Sequence, residues 1–320
     1  ADISAANGTI TIATNGNGTS IGSNNAIETE AVGLSLDATG AAGGGEVEVT
    51  NTGDVVVTKV ETAGDFVLIN TGTVTTGGIW NPGASSAAST TVVATGDITI
   101  DHQLGLLGSN STLNLNSSGG DVVFGAGGSA TFVTTASGSI TLTGNDLSLD
   151  PASSIAGGSK LVSLIPNVGR SVDIGAAGGS GQFVVTDPEL DTITTSNAIV
   201  IGDVNTGNVV FTAAVNMANA NTLKVISNGS INDTGTTSVY GDTNLILDAA
   251  AGIGTTSTLN TATATLSATA SSGGINLTNT GSLQIVAQQS VNGVSATNSN
   301  VALASTGTIT VDAPVLASQN

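Results

Sequence analysis

The chain has 320 residues with 44 Gly, 5 Pro, no Cys and few aromatics, and sets 4 Lys+Arg against 23 Asp+Glu for a net charge of −19. So few cations cannot neutralise phosphates, which excludes nucleic-acid binding, and no apolar run approaches the roughly 18 residues of a membrane-crossing helix. The lack of cysteine removes disulfide frameworks and thiolate metal sites.

Hydrophobic residues still make up 39% of the chain, so it is no acidic disordered tail. One phrase accounts for them: a turn residue, then apolar residues at alternate positions. It opens as GTITI at Gly8–Ile12, returns as GEVEV at Gly45–Val49, GDVVV at Gly53–Val57 and GDFVL at Gly64–Leu68, and continues as GDITI at Gly96–Ile100. STLNL follows at Ser111–Leu115, GDVVF at Gly120–Phe124, GSITL at Gly138–Leu142, GQFVV at Gly181–Val185 and NAIVI at Asn197–Ile201. The second half adds GNVVF at Gly207–Phe211, NTLKV at Asn221–Val225, TNLIL at Thr243–Leu247, GSLQI at Gly281–Ile285 and GTITV at Gly307–Val311.

Apolar positions two apart share one face of a strand, so each phrase predicts a short strand with one buried side, entered through a turn. Copies placed at Gly72, Gly96, Gly120, Gly138, Gly158, Gly181, Gly207, Gly229, Gly252 and Gly274 recur at intervals that hover about 22 residues, the size of a solenoid coil. Tandem immunoglobulin-like sandwiches would repeat at ~100 residues around a core aromatic, whereas Trp80 and Tyr240 are single. An α/β fold needs helical crossovers, yet Thr261–Ala270 alternates Thr with Ala at strand period. The expected fold is therefore all-β: a right-handed parallel β-helix (β-solenoid) of roughly 14 coils of about 22 residues, running through 1–320 as a single continuous solenoid.

The phrases GSITL at Gly138–Leu142, IVIGD at Ile199–Asp203 leading into TGNVVF at Thr206–Phe211, and ASTGTITV at Ala304–Val311 resemble filamentous-haemagglutinin-type adhesin repeats. That family comprises long secreted β-helical proteins of Gram-negative bacteria, exported by two-partner secretion or as autotransporter passengers. The likeness covers nearly the whole chain as a style of repeat. Its N-terminal secretion domain carries Asn-Pro-Asn-Gly-type motifs, to which the nearest approach is Asn81-Pro82-Gly83. The resemblance thus implies an internal or passenger segment, or a processed part, of a longer exported protein at the bacterial cell surface.

Asp187, Glu189 and Asp191 place carboxylates at i, i+2 and i+4, one face if the segment is extended, and an oxygen-only set of that kind suits Ca²⁺. Trp80 sits in the loop Gly78–Ser89, where it is the candidate for an exposed recognition anchor; Leu149–Asn167 is the second recognition loop. Glu28/Glu30 and Glu46/Glu48 fall at strand spacing and read as solvent-facing pairs rather than catalytic ones. Arg170 and His102 are the single Arg and His, with no Ser-His-Asp setting, so the chain reads as a non-enzyme without an organic cofactor. Gly175–Gly181 resembles a phosphate loop only superficially, since no helix or Lys follows.

The expected function is that of a structural and adhesive extracellular rod, which attaches or projects binding loops. Its partners are other copies or neighbouring repeat domains end to end, and host or cell-surface glycans or proteins. A second reading makes it one protomer of an extracellular filament or sheath, joined head to tail through uncapped solenoid ends. A β-helical polysaccharide-active enzyme ranks behind both.

Overall fold

A computed structural model describes residues 3–14, 19–22, 25–38, 45–78, 80–82, 88–106, 110–126, 132–135, 138–176, 182–235, 237–240 and 244–318. It is an all-β structure, 59% strand, whose parallel coils stack into a β-solenoid of about 12 turns. By contacts the chain divides into two compact units, 1–162 with 192–195, and 163–191 with 196–320.

In the first unit three parallel ladders carry the core. The first stacks Val49, Leu68, Val92, Leu115 and Leu142 in register. The second stacks Val55, Val74, Ile98, Val122 and Leu147. The third runs Val60, Trp80, Leu104, Val133, Ile155 and Ile193, every one fully buried. The first two ladders carry residues of the sequence phrase at one position around successive coils, whereas the third draws on residues outside it. Alternate residues point inward, and hydrogen bonds run from coil to coil rather than within a coil. A lone coil has no partner for those backbone groups, so stability is a property of the stack.

The second unit follows the same rule. Ile199, Leu223, Leu245, Leu266 and Ile285 form one ladder. Val172, Val209 and Ile231 form another, extended by Ile253, Ile275 and Val301. Leu259, Leu277 and Leu303 lie in a third. One strand departs from coil order. Phe183–Thr186 pairs with Val172–Gly175 on the edge opposite to Val209–Phe211, with Phe183 beside Val172 and Val185 beside Ile174. This added strand lengthens the return to the third ladder of the first unit, where Ile155 meets Ile193. Residues spent on it make no new turn, which is one reason the turns number fewer than the sequence spacing suggests.

Corners between strands are where a solenoid leaves backbone groups unmatched, and buried polar side chains fill them. Asn51 Oδ1 accepts from Thr29 Oγ1 (2.8 Å) and Ala31 N (3.0 Å), while its Nδ2 donates to Asn70 Oδ1 at 2.9 Å. Asn70 Nδ2 donates to Thr73 O at 2.9 Å, closing its own corner. Ser117 Oγ donates to Gly96 O (2.8 Å) and accepts from Gly120 N (2.9 Å). Ser227 does the same with Gly207 O and Gly229 N in the second unit, and Thr62 and Ser305 repeat the device. Asn279 Oδ1 accepts from Thr261 Oγ1 (2.8 Å) and Thr263 N (2.9 Å). The turn residue of the sequence phrase is thus the end of a longer one, Asn/Ser/Thr-x-Gly, with one residue more between Ser117 and Gly120. Gly72 takes φ 136°, which disfavours a side chain, and a Cβ on Gly138 would fall 1.1 Å from Ser111 O.

Two loop expectations change. Leu149–Asn167 is not a free loop, since it contains the ladder strands Ser154–Ala156 and Val162–Pro166. Of Gly78–Ser89, residues 79 and 83–87 lie outside the described residues, and Trp80–Asn81 is a strand.

Candidate functional site

Trp80 is not an exposed anchor. Its side chain is 0% exposed, Nε1 donates to Val57 O at 3.1 Å, and its ring meets Phe66 edge to face with centroids 5.6 Å apart. The reason is register: Trp80 stands between Val60 and Leu104 in a ladder that points inward. Burial of the indole with its N–H satisfied makes it a core residue.

The acidic segment is also rearranged. Thr186-Asp187-Pro188-Glu189 reads as a capping box with Pro in the first turn, and the residues Asp187–Asp191 form a short helix instead of an extended run. Glu189 Oε2 accepts from both the backbone N and Oγ1 of Thr186 at 2.8 Å. Asp187 Oδ1 accepts from Asn216 N at 2.6 Å. Asp191 accepts Asn219 Nδ2 on its backbone oxygen, and burial, then the charge of Asp187, raises its carboxyl above the usual range. In a helical turn Glu189 leaves the face shared by Asp187 and Asp191. The three carboxylates do not form one Ca²⁺ cage; among the described residues no group of three His, Asp or Glu is placed to hold a metal.

The other titratable groups are dispersed. Glu28, Glu30 and Glu46 lie at exposed outward positions, and Glu30 accepts from Ser4 Oγ at 3.3 Å. His102 Nδ1 lies 2.9 Å from Thr76 O, so a proton on that nitrogen serves a backbone carbonyl. Arg170 holds a turn through its backbone, donating N–H to Asn167 O and accepting from Gly207 N. Lys59 bridges Asp37 (2.8 Å) and Glu61 (2.9 Å); the hydrogen bond to Asp37, then that to Glu61, raises its pKa. Gly175–Gly181 falls largely outside the described residues.

An open groove of about 690 Å³, which no sequence pattern announces, lies in the second unit between the corner Ala262–Ala264 and the next one at Thr280–Gln284, reaching Thr310. Its polar groups are the hydroxyls of Thr280, Ser282 and Thr310 and the amide of Gln284, whose Nε2 donates to the Asp312 carboxylate. Ala262 and Ala264 supply the apolar wall. These neutral donors and acceptors beside small aliphatic surface suit a polyhydroxylated ligand. The missed signal was the Asn279-Thr280-Gly281-Ser282 corner, whose Asn turns inward and leaves the hydroxyls outside. No family model, no curated protein and no solved structure matches this chain.

Proposed function

We propose that the chain is a structural and adhesive β-solenoid of a bacterial cell surface, non-enzymatic, with neutral glycans as the ligand class of its groove. The observation that carries the reading is the division of labour along each strand. Inward aliphatic ladders make the stack, while outward Thr, Ser and Asn remain for contact, as at Thr280, Ser282 and Thr310. The resemblance of the repeats to filamentous-haemagglutinin-type adhesins supports an exported, surface-displayed setting.

A glycan array probed with the labelled chain tests this, with Thr280→Val and Gln284→Leu as groove variants. The account expects saturable binding to a neutral glycan, at least tenfold weaker in the variants. Binding that survives both substitutions would move the site elsewhere. No retention on any glycan, or release of reducing ends from a polysaccharide, would refute the adhesive, non-enzymatic reading.

A further inference from the structure

We infer that the hairpin Ala287–Asn292 is a strap that ties four successive coils of the second unit into one cooperative block. This role is independent of what the groove binds. The hairpin interrupts a ladder. Thr265 and Leu266 pair with Gln284 and Ile285, and Ala268 pairs with Val294. Opposite Ser267, where a single residue would continue the strand, stands the whole segment Val286–Gly293. Both ends of that segment are pinned to the preceding coil. Val286 N donates to Leu266 O at 3.1 Å, Ser267 Oγ donates to Val286 O at 2.6 Å, and Ala268 N donates to Gly293 O at 2.8 Å. Gly293 takes φ 76°, and a Cβ there would fall 2.2 Å from Pro314 O, so the exit requires glycine. Between the pins, Ala287–Gln288 and Val291–Asn292 pair antiparallel, against the parallel rule of the coils.

From that base the hairpin folds back across the outward face of earlier coils. The outward positions Ile246 and Ser267 are 0% exposed, whereas outward Thr91, Asn114 and Thr141 of the first unit are half-buried. Lys224, Ile246 and Ser267 are register partners on three successive coils. The segment touches both ends of that column: Ser267 through Val286, and Lys224, whose Nζ donates to Ser290 Oγ at 3.4 Å. It therefore crosses Ile246. A second row of bonds runs beside the first. Gln288 Nε2 donates to Thr265 Oγ1 at 2.7 Å, Thr265 Oγ1 to Asn244 Oδ1 at 2.7 Å, and Asn244 Nδ2 to Thr222 Oγ1 at 3.3 Å.

In a plain solenoid each coil touches only its neighbours, so coils can open one at a time. Here the coil of Ile285 reaches that of Leu223 across the two between them, those of Leu245 and Leu266. Opening any of the four uncovers Ile246 and Ser267 or breaks a bond of the two rows. The strap thus adds a coupling that ladder hydrogen bonds alone do not give, and the four coils open together.

Native-state hydrogen exchange of the 320-residue chain, read by mass spectrometry, tests the strap. The amides of strands 222–227, 244–249 and 265–270 are expected to share one opening rate. Gln288→Ala/Ser290→Ala cuts the side-chain ties and keeps the hairpin, and should speed exchange of all three strands about tenfold. Replacing residues 287–292 by two glycines removes the hairpin and should split the three strands into separate, faster rates. Strands 66–71 and 89–94 of the first unit should be unchanged in both variants, which also verifies that these fold. Three strands that open one after another in the unmodified chain overturn the inference. So does a common rate that survives excision of the hairpin. Exchange unaltered by the double alanine variant overturns it as well, and that variant decides the matter if excision unfolds the second unit.

Discussion

Trp80 offers the sharpest test of the packing. Replacing it with Ala removes a fully buried indole whose neighbours in the ladder, Val60 and Leu104, are themselves fully buried. Truncations of this size cost about 3–5 kcal/mol, and the edge-to-face contact with Phe66 adds roughly 0.5–1.5 kcal/mol. Trp80→Phe separates the terms. It keeps an aromatic against Phe66 and loses the Nε1 bond to Val57 O, worth about 1 kcal/mol. That carbonyl is not stranded, because Gly77 N still donates to it at 2.8 Å, so the Phe variant should lose only about 1–2 kcal/mol. Denaturant unfolding followed by far-UV circular dichroism gives both numbers, and emission of the single Trp reports its burial directly. If Trp80→Ala shifts stability by less than about 0.5 kcal/mol, or if the indole is quenched as freely as an exposed one, the ladder assignment fails.

Three further outcomes follow from particular side chains. Asn51→Ala deletes bonds to Thr29, Ala31 and Asn70 in a buried corner and should cost at least about 3 kcal/mol in the same assay. Thr90→Val should stabilise by about 1 kcal/mol, since the hydroxyl of this fully buried residue has no hydrogen-bond partner among the described residues; a loss of stability would place a partner there. For Asp191, whose pKa is raised by burial and by Asp187, the native state holds a proton that the unfolded state has released between pH 3.8 and the raised value. Stability therefore falls as pH rises through that window. Asp191→Asn should flatten this part of the pH–stability curve, and an unchanged curve would show the carboxyl to be unperturbed.

The strand phrases were legible because burial in a parallel ladder leaves a period-two mark that aliphatics alone can carry, as at Val49, Leu68 and Leu115. Trp80 was misread because its ladder is irregular in sequence. Val60, Trp80, Leu104 and Val133 are separated by unequal intervals, so nothing local shows that they share one face. The acidic triplet was read as extended, although Thr186 and Glu189 already had capping-box spacing; local helix chemistry outweighed the surrounding strand pattern. The groove was not legible at all. It depends on how far two successive corners, Ala262–Ala264 and Thr280–Gln284, stand apart, and that distance is set by stacking rather than by either corner.

The central claim is that strands far apart in sequence lie side by side, parallel and in register. The chain has no cysteine, so an engineered pair reads this without interference. Thr91 and Asn114 are register partners on adjacent coils at outward positions, whereas Asn116 is two residues further along the same strand. Neighbouring strands lie ~4.8 Å apart, within disulfide reach, and two residues of offset lengthen the separation to about 8 Å, beyond it. Under mild oxidation Thr91→Cys/Asn114→Cys should form an intramolecular disulfide rapidly, and Thr91→Cys/Asn116→Cys should not. Equal rates in the two pairs, or faster closure of the offset one, would contradict the stacked-coil register of the fold.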